Sequence, residues 1–211
     1  MDLSQPYTAI CPSLEGPVLE VLARTARPLT GREIARLSRR GSERGVRLVL
    51  NRLVEHGLVT AQEAGSASLF LLNREHVAAN LVEGLLRLRA ELIERIRREV
   101  HQWISPPVHV SIFGSAARAD GDTASDIDML IVRPQQIADE DAAWREQLHQ
   151  LAEHIELWSG NHASLHELTP RDLKAALRRN EPIITSLRDQ SITIAGPDFI
   201  DLTGSTRKSV A

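Results

Sequence analysis

VSIFGSAARADGDTASDIDMLIV, residues 110–132, is the stretch from which the rest of the chain is read. Residues 108–113 (VHVSIF) alternate as a strand does, and Gly114-Ser115 ends the run. DIDMLIV, residues 126–132, reads as a second strand. Alternation puts Asp126 and Asp128 on one face, about 7 Å apart. Two carboxylates so placed repel each other in the absence of a cation. They suit a hard divalent ion such as Mg²⁺, which takes few protein carboxylates and completes its shell with water and phosphate oxygens. Upstream, Gly114 lets phosphate approach backbone N–H groups, and the Ser115 hydroxyl adds a donor. A phosphate cradle beside metal-binding carboxylates implies nucleotide chemistry.

Downstream, 139–158 reads as a helix with Leu148, Leu151, Ile155 and Leu157 as its apolar positions, and 162–168 (HASLHEL) as a third strand. Thr169 is the N-cap of a further helix with Pro170 at its first position. A short helix at 182–190 and an extended segment at 192–196 follow, then a polar tail expected to fray. Upstream, residues 74–103 carry Val77, Leu81, Leu85, Leu88, Leu92, Ile93 and Ile96 at helical spacing, which predicts one long connecting helix ended by Ser105-Pro106-Pro107. Before it, Leu14, Val18, Val21 and Leu22 mark a first helix. Thr30 and Glu33 form a capping box for a short second one. Ser42 caps a third, with Val46, Val49, Leu50 and Leu53 on its apolar stripe. Two strands around Gly65-Ser66 complete a hairpin.

The chain of 211 residues is 42% hydrophobic and 25% charged, the composition of a folded protein with one or two domains. Cys11 is the sole cysteine, which excludes a disulfide framework and a cysteine-based zinc site. No run approaches the ~20 apolar residues of a membrane span, and MDLSQPYTAICPSLEG lacks the basic start and apolar run of a signal peptide. The expectation is a cytoplasmic protein without membrane contact. The net charge of −3 hides an asymmetry: from Arg27 to Arg52 eight arginines face two glutamates, a balance of +6, leaving −9 for the remainder. A basic segment on an acidic chain suggests a local polyanion contact.

Helix, short helix, turn, helix, two-stranded ribbon is also an order met elsewhere. PLTGREIARLSRRGSERGVRLVLNRLVEHGLVTAQEAGSASLFLLN resembles the winged helix-turn-helix module of bacterial transcription regulators. The resemblance implies that the third helix enters the major groove of double-stranded DNA and the hairpin touches the neighbouring backbone. The matching positions are Arg39, Arg40, Ser42, Arg44, Arg47 and Asn51. The alternative is a helical domain for protein contacts with its arginines on a solvated face.

Residues 110–132 resemble the signature of the DNA polymerase β-like nucleotidyltransferase superfamily, nearest to its minimal members: Gly114-Ser115, Arg118, then Ser125-Asp126-Ile127-Asp128 opening the next strand. The resemblance implies a mixed sheet flanked by helices. It also implies transfer of a nucleoside monophosphate from an NTP to a hydroxyl of a protein or nucleic-acid acceptor. Gly114 and Ser115 would hold phosphates. Asp126 and Asp128 would bind one or two Mg²⁺ ions. Arg118 either contacts phosphate or pairs with Asp120 or Asp122. Active members carry a third carboxylate on a neighbouring strand, and here that position falls at Ser164. Ser164 and His166 share a face, so Glu167 serves as the third catalytic carboxylate only if the register shifts by one.

The expected architecture is therefore α+β: a winged helix-turn-helix over 1–73, a connecting helix over 74–104, a nucleotidyltransferase domain over 105–196 and a tail over 197–211. Three functions fit it: an active transferase, a transcription regulator that only senses nucleotide, and an antitoxin-type minimal nucleotidyltransferase. A homodimer is expected by analogy with winged-helix proteins.

Overall fold

The computed structural model describes residues 1–65 and 67–204. The fold is mixed α+β with two sheets, and the chain divides into two compact units. One is Gln5–Arg89. The other combines Met1–Ser4 with the chain from Ala90 onward.

The Gln5–Arg89 unit opens with a 3-10 turn, Pro6–Ala9, and continues as α1 (Glu15–Ala23), β1 (Leu29–Thr30), α2 (Gly31–Ser38), α3 (Glu43–Glu55), β2 (Val59–Ala64), β3 (Ala67–Leu72) and α4 (Ala79–Leu86). Helix starts are set locally. The Thr30 side chain accepts the Glu33 N–H while Glu33 bonds back to the Thr30 N–H, a complete capping box. Ser42 Oγ accepts the Gly45 N–H at the start of α3. The two-residue β1 pairs antiparallel with β3 and makes a three-stranded sheet of order β1-β3-β2. Val18, Leu22, Leu29, Ile34, Val46, Leu50 and Phe70 fill the core between helices and sheet, the largest stabilising contribution such a unit has.

The second unit contains α5 (Leu88–His101, apart from its first two residues), β4 (His109–Ile112), α6 (Gly114–Arg118), β5 (Ile127–Val132), α7 (Ala142–Ser159), β6 (Ala163–Leu168), α8 (Pro170–Arg179), α9 (Pro182–Asp189), β7 (Ile192–Ala195) and α10 (Phe199–Leu202). Its sheet has the order β6-β5-β4-β7, with β5 parallel to β6 and the other pairs antiparallel. Alternation along β5 sends Ile127, Met129 and Ile131 into one core with Trp144, Leu151 and Ile155. Leu130 and Val132 enter another with Phe113, Leu173, Leu187 and Phe199. Asp128 shares the face of Leu130 and Val132.

Three expectations are corrected. The helix predicted across 74–103 is two helices with a turn before them. Asn73 Oδ1 accepts the Glu75 N–H and His76 Nδ1 accepts the Ala78 N–H, so local side chains hold 73–78 out of the helix. The Arg87 N–H bonds to Gly84 O, three residues back, and closes α4. Val77 and Leu81, expected on the apolar stripe, are exposed, as is Leu157 on α7. The tail is folded through its described part: Phe199 is 1% exposed, and Pro197 O is 2.8 Å from Nδ1 of the buried His109. Residues 205–211 lie outside the described residues.

Candidate nucleotide site and nucleic-acid interface

Antiparallel pairing of β4 with β5 sets Ile112 opposite Met129, and the Phe113 N–H donates to Asp128 O at 3.0 Å. The chain then turns at Gly114 with φ +67°, a conformation that favours glycine. A Cβ on Gly114 would lie 2.5 Å from Asp128 Oδ2. Backbone geometry and the carboxylate thus both require glycine here, and the first residues of α6 sit directly beside Asp128. The following loop returns over Ser115: a Cβ on the buried Gly121 would meet Ser115 Oγ at 3.0 Å and Ser125 Cβ at 3.3 Å.

Ser125 Oγ donates to Asp122 Oδ1 (2.8 Å) and accepts the Asp122 N–H (3.0 Å). This hydroxyl and the Ala124 N–H hold the Asp122 carboxyl below its ordinary range. Ser125 therefore braces the loop that leads into the Asp-x-Asp strand. Asn161, 1% exposed in the turn between α7 and β6, donates from Nδ2 to Ser125 O at 3.0 Å, and its Oδ1 accepts from the Met1 ammonium at 2.7 Å. Sequence reasoning passed over Asn161. Its only signal is a polar residue after the Gly160 helix stop, and its partners lie far away in sequence.

Asp126 is exposed, one residue before β5, and Asp128 is half-buried on the strand. Burial pushes the Asp128 carboxyl above its usual range. His166 opposes that shift, the Asp126 charge adds to it, and Arg118 opposes it. Arg118 itself pairs with Asp120 at 2.9 Å. Among the described residues no group of three or more His, Cys, Asp or Glu side chains stands arranged to hold a metal ion. The oxygen donors at this turn are the half-buried Asp128 carboxylate, whose Oδ2 lies against Gly114, and the exposed Asp126 carboxylate whose charge acts on it.

β6 supplies the neighbouring strand. Ser164 pairs opposite Asp128, and His166 opposite Leu130. Ser164 Oγ and His166 Nε2 are 3.3 Å apart, and the His166 ring lies 5.5 Å from that of Phe113. Glu167 occupies the opposite face. It accepts from Trp144 Nε1 at 2.9 Å and Arg145 Nη1 at 3.1 Å, and it pairs with Arg133 at 2.5 Å. The expectation of Glu167 as a third site carboxylate is therefore corrected. The register does not slip: Trp144 and Arg145 donate one hydrogen bond to each of its oxygens, and the Arg133 cation lies beside them.

In the Gln5–Arg89 unit the six predicted interface residues separate. Arg44, Arg47 and Asn51 are exposed on one face of α3, with Leu48, which is 63% exposed between them. Leu48 belongs to the apolar stripe by residue type alone; its angular position puts it with the arginines. Ser42 Oγ is engaged as the α3 cap. Arg47 and Asn51 line a concavity of about 390 Å³ with Thr30, Arg32 and Ser68, between α3 and the β2–β3 hairpin. Arg39 and Arg40 line another, formed with Arg24 and Arg36 at the ends of α1 and α2. No helix among the described residues is long and apolar enough to cross a membrane.

A scan of protein-family models, a search of curated proteins and a search of solved structures each found no match to this chain.

Proposed function

We propose that the second unit is a polymerase β-like nucleotidyltransferase domain acting on an NTP with Mg²⁺, and that the Gln5–Arg89 unit is a winged helix that directs it to, or regulates it through, double-stranded DNA. The observation that carries the reading is the contact of Gly114 with Asp128. A glycine turn that lies against the Asp128 carboxylate supports this reading, because glycine backbone and a carboxylate are what a phosphate chain with its cation would need there.

In this reading Asp126 and Asp128 hold Mg²⁺, which supplies charge neutralisation along the triphosphate and in-line alignment of the displacement. Gly114 and Ser115 bind phosphate oxygens. Ser125, tied to Asp122 and Asn161, keeps the loop in place. His166 accepts the proton of the acceptor hydroxyl. The bond from that oxygen to the α-phosphorus forms, the α–β phosphoanhydride bond breaks, and pyrophosphate leaves. On the DNA side, Arg44, Arg47, Leu48 and Asn51 face the groove, the arginines for phosphate or guanine and Leu48 for a thymine methyl.

A second reading has its own support. Ser164 stands opposite Asp128, and Glu167 is held on the other face, so the site has two carboxylates. This favours a domain that binds NTP with Mg²⁺ without turnover, in a protein whose output is transcription regulation.

Incubation with each α-labelled NTP and Mg²⁺, alone and with cell extract, separates the two. Label on a protein or nucleic acid that is lost in Asp126→Ala/Asp128→Ala establishes transfer. Mg²⁺-dependent NTP binding without label establishes the sensor. Neither label nor binding overturns both readings.

A further inference from the structure

The concavity at the ends of α1 and α2, about 730 Å³, is within the size range of small-molecule sites. Arg24, Arg36, Arg39 and Arg40 line it against a single carboxylate, Glu20. Glu20 is already paired with Arg24 at 2.9 Å, and Arg36, Arg39 and Arg40 meet no carboxylate among the described residues. Guanidinium groups gathered without counter-charge are stabilised together by an anion with several acceptor oxygens.

The backbone at the rim of this concavity is in a glycine-favouring conformation. Arg39 sits at the C-cap of α2 with φ 53°, the left-handed region that favours glycine, in a chain that uses glycine with positive φ at Gly41 and Gly57. Ala119 and Asn180 end their helices in the same conformation, and at each a glycine would relieve the strain. Tyr7, only 3% exposed, forms part of the wall.

We propose that this concavity binds a small molecule carrying a chain of two or more linked phosphates. A duplex presents its phosphates one by one along a convex backbone, whereas four guanidiniums lining one hollow match phosphates joined in a single chain. The proposal moves Arg39 and Arg40 from DNA contact to an effector site, and it stands whether or not the Asp-x-Asp site transfers nucleotides.

Tyr7 is the chain's sole tyrosine, so 3-fluorotyrosine labelling of the full chain gives one ¹⁹F resonance in the wall of the concavity. The probe is inorganic triphosphate, with EDTA present to remove any metal. The expected result is a saturable shift, with affinity lowered about tenfold or more in Arg36→Gln and in Arg39→Gly. Arg39→Gly relieves the left-handed strain, so it melts at or above the parent temperature, which separates lost binding from lost folding. Arg171→Gln, removing the same charge from the other unit, leaves the affinity unchanged. The proposal is overturned by no shift up to about 10 mM triphosphate, by equal weakening in Arg171→Gln, or by a shift produced by duplex DNA and not by triphosphate.

Discussion

The two units hold their functional groups in different ways. In the second, the groups are fixed by the backbone: Asp128 and Ser164 occupy set places in a β ladder, where a shift of one residue would turn either to the other face, and Gly114 makes the turn that follows β4. In the Gln5–Arg89 unit they are long arginines on exposed helix faces, whose backbone positions say little about which neighbours they share. The first arrangement makes chemistry readable from spacing. The second makes charge readable but leaves open which hollow each arginine lines. Arg47 and Asn51 face one concavity, Arg39 and Arg40 another, although all four lie within thirteen residues.

The comparison is broken most directly at Gly114. Gly114→Val adds a Cβ where Asp128 Oδ2 lies and forces a β-branched residue to φ +67°. We expect about 2 kcal/mol lower stability in urea melts and Mg²⁺·NTP affinity lowered about tenfold or more in titration calorimetry. Unchanged affinity would remove Gly114 from the site.

Glu167 tests the opposite face. Glu167→Gln removes the nearer carboxylate of Arg133, whose side chain is 10% exposed, and leaves it only Asp139 at 3.6 Å among the described residues. We expect about 2 kcal/mol of destabilisation, less than for a fully buried pair because Arg145 and Asp139 are open to water. Mg²⁺·NTP binding should persist at temperatures where the variant is folded. If nucleotide binding were lost while stability held, Glu167 would return to the site.

On the arginine side, Arg47→Ala should weaken duplex DNA binding about tenfold near physiological salt and reduce the slope of log K against log salt by about one. An unchanged slope in anisotropy titrations would remove α3 as the DNA-facing element.

The smallest effect concerns Asp128 itself. Its carboxyl has a raised pKa in the folded state, so the folded chain holds that proton to higher pH than the unfolded chain does. Stability contributed by this group is therefore lost as pH rises from the ordinary 3.8 through the folded value. Asp128→Asn should raise the melting temperature at pH 7 by about 1–2 °C and steepen the rise of stability with pH just above 3.8, because a contribution that falls with pH is removed. A lower melting temperature would mean that the ionised carboxylate is held by contacts stronger than its desolvation.

Much of this was legible in the sequence where the cause is local. Thr30 with Glu33, Ser42 and Thr169 cap helices as their side-chain chemistry requires. The distance from the Thr169-Pro170 helix start assigns the neighbouring-strand position to Ser164, and in the ladder Ser164 pairs with Asp128. What was not legible depends on partners distant in the chain. β1 is two residues that become a strand only against β3. Phe199 lies in a polar stretch and is buried by residues from β5, α8 and α9. Neither the side chains at 73–78, which delay the start of α4, nor the Arg87 N–H bond to Gly84 O, which ends it, interrupts the apolar period.

Met1–Ser4 has one more consequence, and it concerns biosynthesis. Leu3 is 3% exposed within the core built on β4, β5 and α7, and the Ser4 N–H donates to Gly121 O at 3.3 Å. The second unit is thus discontinuous: four of its residues are made before the eighty-five of its neighbour, and they dock on a sheet and helix made later still. On the ribosome the Gln5–Arg89 unit has its whole core available first. The other unit closes only when a strap from the far end of the chain returns to it. Cutting the chain at residue 90 would therefore yield a domain missing part of its own interior, and a four-residue peptide supplied in trans would be the reagent to restore it.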